Sequence, residues 1–569
     1  MAIIEYFRRR PALVLFVLLT VTFIPFLGET LFNTKGEPRE AIVAVSMFQQ
    51  GDFILPVSNG GDMPYKPPML AWCIALVSFL TGGEVTEFTS RMPSAVALIV
   101  MTFVVYLIAR RYTSQSKAMM SALISVTAFE VFRAGYACRV DMLLTMFIVT
   151  SLFLLYHNYL KNKQIFSVGA ILLMSGAVLT KGPVGAVLPA MVAWTFYLLR
   201  GENFWRASLL TAANVLLSLV IPMLWYVAAW KQGGDDFLAL MLEENVGRFT
   251  GTMSYESHLN PWYYNVITVV AGLLPYTLLL LFSLFGLKYD NPKITLSGSR
   301  FFAWVKGLRE ANPWILFNAL VVILIFIFYC IPGSKRSVYL LPIYPSLAFF
   351  IAHYVHYLYK RTPRALKIYS GIIAAIPVLL LVVLIAIKIS YLRLGKPSAD
   401  MFLAAFDEGT VGILGLIAIA ASLVMSYFTF RAIRSLGGRV AIRRAIVTLL
   451  AIYWSFSAVY QPLALNAKSD VVIAKQLEEC GFCKENPIYG WCAVEMMRYY
   501  TVNFYLGDSV INCEKQMPEC GTMIIGEQDL EKWLDKYGNS YFYELVLDTN
   551  HRSCDTKQNV LIVKFGQKC

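Results

Sequence analysis

Charge and histidine are scarce in this chain. Asp, Glu, Lys and Arg make up 15% of its 569 residues, and five residues are His; a soluble globular domain carries about 25% charged residues. The chain also lacks a Gly-rich phosphate loop, a dinucleotide fingerprint and a His-Glu-x-x-His helix. These absences argue against a nucleotide donor bound on the cytoplasmic side and against metalloprotease chemistry. In place of charge there is hydrocarbon: 57% of residues are hydrophobic and mean hydropathy is +0.59, the composition of a polytopic membrane protein. The net charge of +13 implies no nucleic-acid partner, because most of the excess lies in basic loops that face anionic lipid headgroups.

Thirteen apolar runs are long enough to predict membrane spans, at about 11–27, 92–109, 118–133, 142–158, 166–180, 184–199, 207–229, 263–286, 313–331, 337–358, 369–391, 410–430 and 445–463. Lys and Arg are retained on the cytoplasmic side, and that rule orients the set. Arg8, Arg9 and Arg10, then Arg110, Arg111 and Lys117, Lys161 and Lys163, Arg200 and Arg206, the cluster from Lys288 to Arg309, Lys360 to Lys367, and Arg431 to Arg444 all fall on one side. The agreement holds only if the apolar segment 69–81, which follows Pro67-Pro68, does not cross. Residues 28–91 and the C-terminal tail are then expected outside, and 288–312 inside. The first run has a basic flank and no small-residue cleavage site, which predicts a retained signal anchor.

Residues 1–464 are thus expected to form the membrane domain and 465–569 an outward domain. Short apolar runs at Pro487-Ile-Tyr-Gly, Met523-Ile-Ile-Gly, Tyr543-Glu-Leu-Val-Leu and Val560-Leu-Ile-Val, with a helical stretch near 527–537, predict a small α/β fold there. Seven of the ten cysteines crowd this tail: Cys480, Cys483, Cys492, Cys513, Cys520, Cys554 and Cys569. Cys480-Gly-Phe-Cys483 has no second Cys-x-x-Cys to complete a zinc site. On the outer side of a membrane, disulfides are the expected use of these residues.

The outer loops hold the groups with chemical potential. The first reads Lys35-Gly36-Glu37-Pro38-Arg39-Glu40-Ala41, then Gly51-Asp52-Phe53-Ile54-Leu55-Pro56, Tyr65-Lys66-Pro67-Pro68 and Ser90-Arg91-Met92-Pro93-Ser94. Arg139-Val140-Asp141 begins the fourth span, Lys181-Gly182-Pro183 turns between the fifth and sixth, and Gly333-Ser334-Lys335-Arg336 with Tyr339 caps the tenth. Glu244 to Phe249, His258 and Pro261-Trp262-Tyr263-Tyr264 fill the loop before the eighth. Asp141 and Lys181 sit at span ends, where an ionisable residue is costly unless paired or functional. His258 is a candidate sugar contact or a structural loop residue, and the aromatics at 262–264 suit an interfacial belt.

In this order, the motifs resemble the GT-C membrane glycosyltransferases that use polyprenyl-phosphate sugars, above all the bacterial lipid A aminoarabinose transferases and the related protein O-mannosyltransferases. The resemblance rests on Glu37-Pro38-Arg39, Gly51-Asp52, Lys66-Pro67-Pro68, Arg91-Met92-Pro93-Ser94, Arg139-Val140-Asp141-Met142-Leu143-Leu144-Thr145, Leu179-Thr180-Lys181-Gly182-Pro183, Glu244-Asn245, Pro261-Trp262-Tyr263-Tyr264 and Ser334-Lys335-Arg336, across about residues 10–350. It implies an α-helical polytopic GT-C fold of about 13 spans with a small periplasmic α/β domain. Two positions depart from the family pattern: Gly36 stands where the family has Asp, and Tyr65 stands where it has an acid.

The implied reaction is inverting transfer of a sugar, such as 4-amino-4-deoxy-L-arabinose, from polyprenyl phosphate to lipid A or another periplasmic acceptor in the inner membrane. Such a reaction must neutralise the departing phosphate and position the acceptor. Arg39, Lys66, Lys181, Arg248, Lys335 and Arg336 are the candidates for the phosphate. Glu37 and Asp141 are the candidate catalytic carboxylates, with a divalent cation between them as an option, and Tyr65, Glu244, His258 and Tyr339 are candidate sugar or acceptor contacts. A protein O-glycosyltransferase is the alternative, ahead of a lipid-linked glycan flippase or ligase. A flippase predicts inverted repeats and mid-span charges, and neither is found in the sequence.

Overall fold

The computed structural model describes residues 9–247, 250, 259–284, 307, 310–394, 411–482, 486–494, 497–514 and 516–568. Each of the thirteen apolar runs is a helix or a bent helix pair. In chain order the helices are α1 (Pro11–Phe23), α2 (Pro38–Gln50), α3 (Met69–Leu80), α4 (Glu87–Tyr112), α5 (Gln115–Thr127), α6 (Phe129–Gly135), α7 (Val140–Asn162), α8 (Val168–Lys181), α9 (Val184–Leu199) and α10 (Phe204–Leu242). They continue with α11 (Tyr264–Gly272), α12 (Tyr276–Leu284), α13 (Pro313–Cys330), α14 (Tyr344–Arg361), α15 (Pro363–Leu394), α16 (Ile413–Ser435) and α17 (Gly438–Ser455). Helix α10 runs past its predicted end at 229 and changes direction at Gly234, whose φ of 61° only glycine adopts freely.

Two spans are broken. Helices α5 and α6 meet at 69°, and α11 and α12 at 99° across Pro275, which cannot continue a helix. The breaks meet each other: the Phe129 N–H donates to the Leu274 carbonyl at 2.9 Å, which satisfies groups that bilayer hydrocarbon would leave bare. Helix α3 starts after Pro67-Pro68 and has 12 residues, about 18 Å of helix against a hydrocarbon core of about 30 Å. It lies between α2 and α4 and leaves Leu76, Phe79 and Leu80 exposed.

The C-terminal domain follows with α18 (Val471–Glu479), β1 (Tyr489–Trp491), α19 (Tyr500–Tyr505), β2 (Ile511–Asn512), β3 (Cys520–Gly526), α20 (Glu527–Tyr537), β4 (Tyr541–Arg552) and β5 (Asn559–Gln567). The sheet order is β2-β1-β3-β5-β4, with β1 parallel to β2 and β3 and the remaining pairs antiparallel. Alternation along β3 and β5 sends Ile524, Val560 and Ile562 to one core with Ile473 and Leu477, and Met523, Ile525, Val563 and Phe565 to another around Trp533. All four predicted strand runs and the predicted helix are present.

The predicted disulfides are not seen among the described residues: Cys480, Cys492, Cys513, Cys520 and Cys554 are free thiols. The reason is packing. Cys492 and Cys513 belong to the two different cores on opposite faces of the sheet, while the Cys554 thiol donates to Thr501 Oγ1 at 3.4 Å. Cys483 and Cys569 lie outside the described residues.

Candidate functional site

The C-terminal domain is bound to the loop between α1 and α4, and the two together build a cleft at one end of the helix bundle. Asp508 accepts from Ser46 Oγ at 2.5 Å and from the Asn59 N–H at 2.8 Å. Tyr505 donates to Glu87 at 2.5 Å, and Phe32 meets Phe504 edge to face at 4.8 Å. Gly60 (φ 77°) lets the loop backbone approach so closely that a Cβ there would sit 2.6 Å from the Asn512 nitrogen.

Pro38 opens α2, its fixed φ suiting the first helical position, and presents the two acids of the first motif in opposite ways. Glu37 is clamped. Arg91 grips it bidentately, Nε to Oε1 at 2.8 Å and Nη2 to Oε2 at 3.0 Å, and the Cys138 N–H adds a third bond at 2.9 Å. Arg91 Nη1 in turn donates to the Leu27 and Thr30 carbonyls at 2.8 and 2.5 Å. Burial works to raise the Glu37 pKa, yet Arg91 and the Cys138 N–H carry it below the ordinary value. Glu37 therefore fastens the loop to α4 and to the turn before α7.

Glu40, three residues on, lies in the cleft wall and was not singled out from sequence. It pairs with Lys66 in a very short contact and lies 3.7 Å from Arg39 Nη2. Against the effect of burial, those cations lower its pKa; burial lowers that of Lys66 in spite of Glu40. Tyr65 stands between the two cations, its ring centroid 5.1 Å from the Arg39 guanidinium and 5.2 Å from Lys66 Nζ. Arg39 is held charged, despite burial, by Tyr65, Glu40, Tyr500 and Glu244, and its Nε finds no hydrogen-bond partner among the described residues. The space these groups line is about 700 Å³ and open to solvent, with Asp62, Trp225 and Tyr500 on its other walls.

The second cluster adjoins the first, and the Asp141 charge reaches Lys66. Asp141, in the first turn of α7, receives Lys181 Nζ at 2.5 Å, and that ammonium lies 4.2 Å from the Tyr339 ring centroid. The structure thus joins Arg39, Tyr65, Lys66 and Glu244 with Asp141, Lys181 and Tyr339. It turns Lys335 inward, where Nζ donates to the Pro332 carbonyl at 2.5 Å, and leaves Arg336 half-buried at the start of the 337–343 turn. Arg248 and His258 lie outside the described residues.

Each expected catalytic acid is already taken by a protein cation, Glu37 by Arg91 and Asp141 by Lys181, so the pair does not fit a shared divalent ion. At Gly36, where a side chain was expected, the Arg139 guanidinium occupies the space a Cβ would need. Tyr500 lines the cleft with no signal in the sequence, since it reaches it only through the docking of the C-terminal domain.

Residues 65–226 match the family described as dolichyl-phosphate-mannose-protein mannosyltransferase. An uncharacterized protein of Aquifex aeolicus is 30% identical over 330 residues, which span 57% of this chain and 60% of the relative. An undecaprenyl phosphate-alpha-4-amino-4-deoxy-L-arabinose arabinosyl transferase of Proteus mirabilis is 25% identical over 76% of each chain. The crystal structure of ArnT from Cupriavidus metallidurans bound to undecaprenyl phosphate superimposes with a TM-score of 0.66 over 97% of both chains at 19% identity, which establishes a common fold.

Proposed function

We propose that this chain, which has the GT-C fold and is related in sequence to aminoarabinose and mannosyl transferases, is a membrane glycosyltransferase that draws a sugar from a polyprenyl phosphate. The observation that carries the reading is the cleft pair Arg39 and Lys66, with a buried Arg39 Nε lacking an acceptor. A phosphate monoanion or dianion supplies such an acceptor, and Arg offers it a planar fork where Lys offers a point charge. The names of the similar proteins, which include undecaprenyl-phosphate sugar transferases, support the same donor class.

In the proposed step the acceptor oxygen bonds to the anomeric carbon as the bond from that carbon to the phosphate oxygen breaks. The electron pair leaves on the polyprenyl phosphate, and configuration inverts. Arg39 and Lys66 stabilise the departing charge, worth about 2.7–4 kcal/mol per preorganised contact. Donor phosphate draws Lys66 away from Glu40, and the freed Glu40 is the carboxylate that receives the proton of a hydroxyl acceptor, while Asp141 stays paired with Lys181. A phosphate acceptor, already anionic, requires no base. The mechanism runs on protein cations, with Glu37 as a structural pin.

The cleft faces the periplasm in this proposal, because the basic loops mark the opposite side as cytoplasmic. An impermeant thiol reagent should then label a cysteine introduced at Asp52 but not one at Leu296. The finer reading is transfer of 4-amino-4-deoxy-L-arabinose to lipid A; the match of 65–226 to a protein mannosyltransferase family favours a protein acceptor as the second. Mass spectrometry of lipid A and of periplasmic glycoproteins, with and without the gene, decides between them. Loss of neither modification would refute both acceptors.

A further inference from the structure

Behind the cleft wall, the C-terminal domain buries a group of side chains that the proposed reaction does not use. Asp470, Cys554 and Asp555 are 0%, 5% and 4% exposed, and one ligand atom of each lies within 4.8 Å of the other two. Cys554 Sγ is 3.6 Å from Asp555 Oδ1. Backbone and hydroxyl donors orient both carboxylates: Asp470 accepts from the Cys554 N–H and Ser553 Oγ, both at 2.7 Å, and Asp555 from the Thr501 N–H and Oγ1 at 2.7 and 3.0 Å. Among the described residues no Lys or Arg forms an ion pair with either acid.

A second observation points into the cluster. His551, 8% exposed, buries an Nε2 that has no hydrogen-bond partner and lies 3.5 Å from Asp470 Oδ1. That separation is long for a hydrogen bond. In a tetrahedral zinc site, bonds of about 2.0–2.1 Å to oxygen and about 2.3 Å to sulfur set those atoms roughly 3.5 Å apart, close to the Cys554–Asp555 distance. Two buried acids with no Lys or Arg in direct contact are costly, the Lys35 charge reaching Asp555 only from a distance, and a thiol with two carboxylates selects a borderline-soft ion such as zinc over magnesium or calcium.

We infer that Asp470, Cys554 and Asp555 bind a zinc ion that braces the C-terminal domain behind the cleft, with His551 facing the same acid. Binding replaces the Cys554 thiol proton, which leaves to solvent, with a zinc–sulfur bond. The ion's effect reaches the cleft through Thr501, which is bonded to Asp555 and follows Tyr500 in α19. The inference does not depend on the transferase reading, because its readout is metal content.

The test uses the full chain in detergent, stripped with a chelator, titrated with zinc, then dialysed and assayed for bound metal. Wild-type protein should retain one equivalent, and cadmium in place of zinc should produce a thiolate charge-transfer band. The isosteric variants Cys554→Ser and Asp555→Asn should each bind zinc at least about tenfold more weakly, with the band absent from Cys554→Ser and retained by Cys492→Ser. Wild-type protein that returns from dialysis without zinc would overturn the inference, as would zinc or the cadmium band persisting unchanged in both isosteric variants.

Discussion

The cleft and the C-terminal domain handle buried acids in opposite ways. At the cleft end of the bundle four buried carboxylates each have a cation: Glu37 has Arg91, Glu40 has Lys66, Asp141 has Lys181 and Glu130 has Arg133. Arg39 adds a guanidinium beside the already paired Glu40. In the C-terminal domain Asp470 and Asp555 lie together with no Lys or Arg paired to them among the described residues. A guanidinium that keeps a free donor beside already paired charges prepares a site for an anion, and acids held only by neutral donors prepare one for a cation. The partners of the acids, more than residue identity, separate the proposed phosphate cleft from the proposed metal site.

The largest expected effect comes from breaking the clamp. Arg91→Ala leaves Glu37 buried without its partner, a loss of about 3–5 kcal/mol, and the detergent-solubilised chain should unfold at a markedly lower temperature. An unchanged melting curve would show that Glu37 is not a pin and return it to the candidate bases. Next is Lys66→Ala, expected to lower transfer from a radiolabelled polyprenyl-phosphate sugar by about 10²–10³; Glu40 keeps Arg39 beside it, so the melting temperature should fall less than in Arg91→Ala. If Lys66→Ala transferred normally, the anion-cleft side of the comparison would fail.

A smaller effect is expected at the seam between the two regions. Gly60→Ala introduces a Cβ 2.6 Å from the Asn512 nitrogen at a φ of 77°, strain of order 1–3 kcal/mol. It should expose the 51–66 loop to limited proteolysis while both regions keep their own folds. The smallest is a pH effect at Glu514. Burial, with the neighbouring Asp62 charge, raises its pKa from 4.5 to about 7, against hydrogen bonds from the Cys492 and Asn512 side of the fold. A carboxyl raised on folding contributes stability below its unfolded pKa and loses it as pH climbs through the folded one. Thermal stability should therefore decline between pH 4.5 and about 7, and Glu514→Gln should flatten that slope; an unaltered slope would exclude Glu514 as its source.

Much of this was legible in the chain itself. Hydropathy located all thirteen apolar runs, and Pro67-Pro68 marked where α3 begins, because proline suits only the first turn of a helix. Period-two alternation located β3 and β5, since side chains on a strand must alternate faces. The positive-inside orientation of the spans put Arg39, Tyr65, Lys66, Asp141 and Lys181 on one expected face. The partners of the ionised groups were not legible. Glu37 and Glu40 are equivalent acids in sequence, and only the approach of Arg91 from α4 and of Lys66 from the loop made one a pin and the other a cleft wall. Tyr500 entered the cleft, and His551 came to face Asp470, through contacts between residues far apart in the chain. Local sequence determined where the chain turns, spans and pairs its strands, because those depend on short-range geometry and on transfer from water. Which charge neutralises which was decided by tertiary structure, because Coulomb energy depends on distance and burial in space.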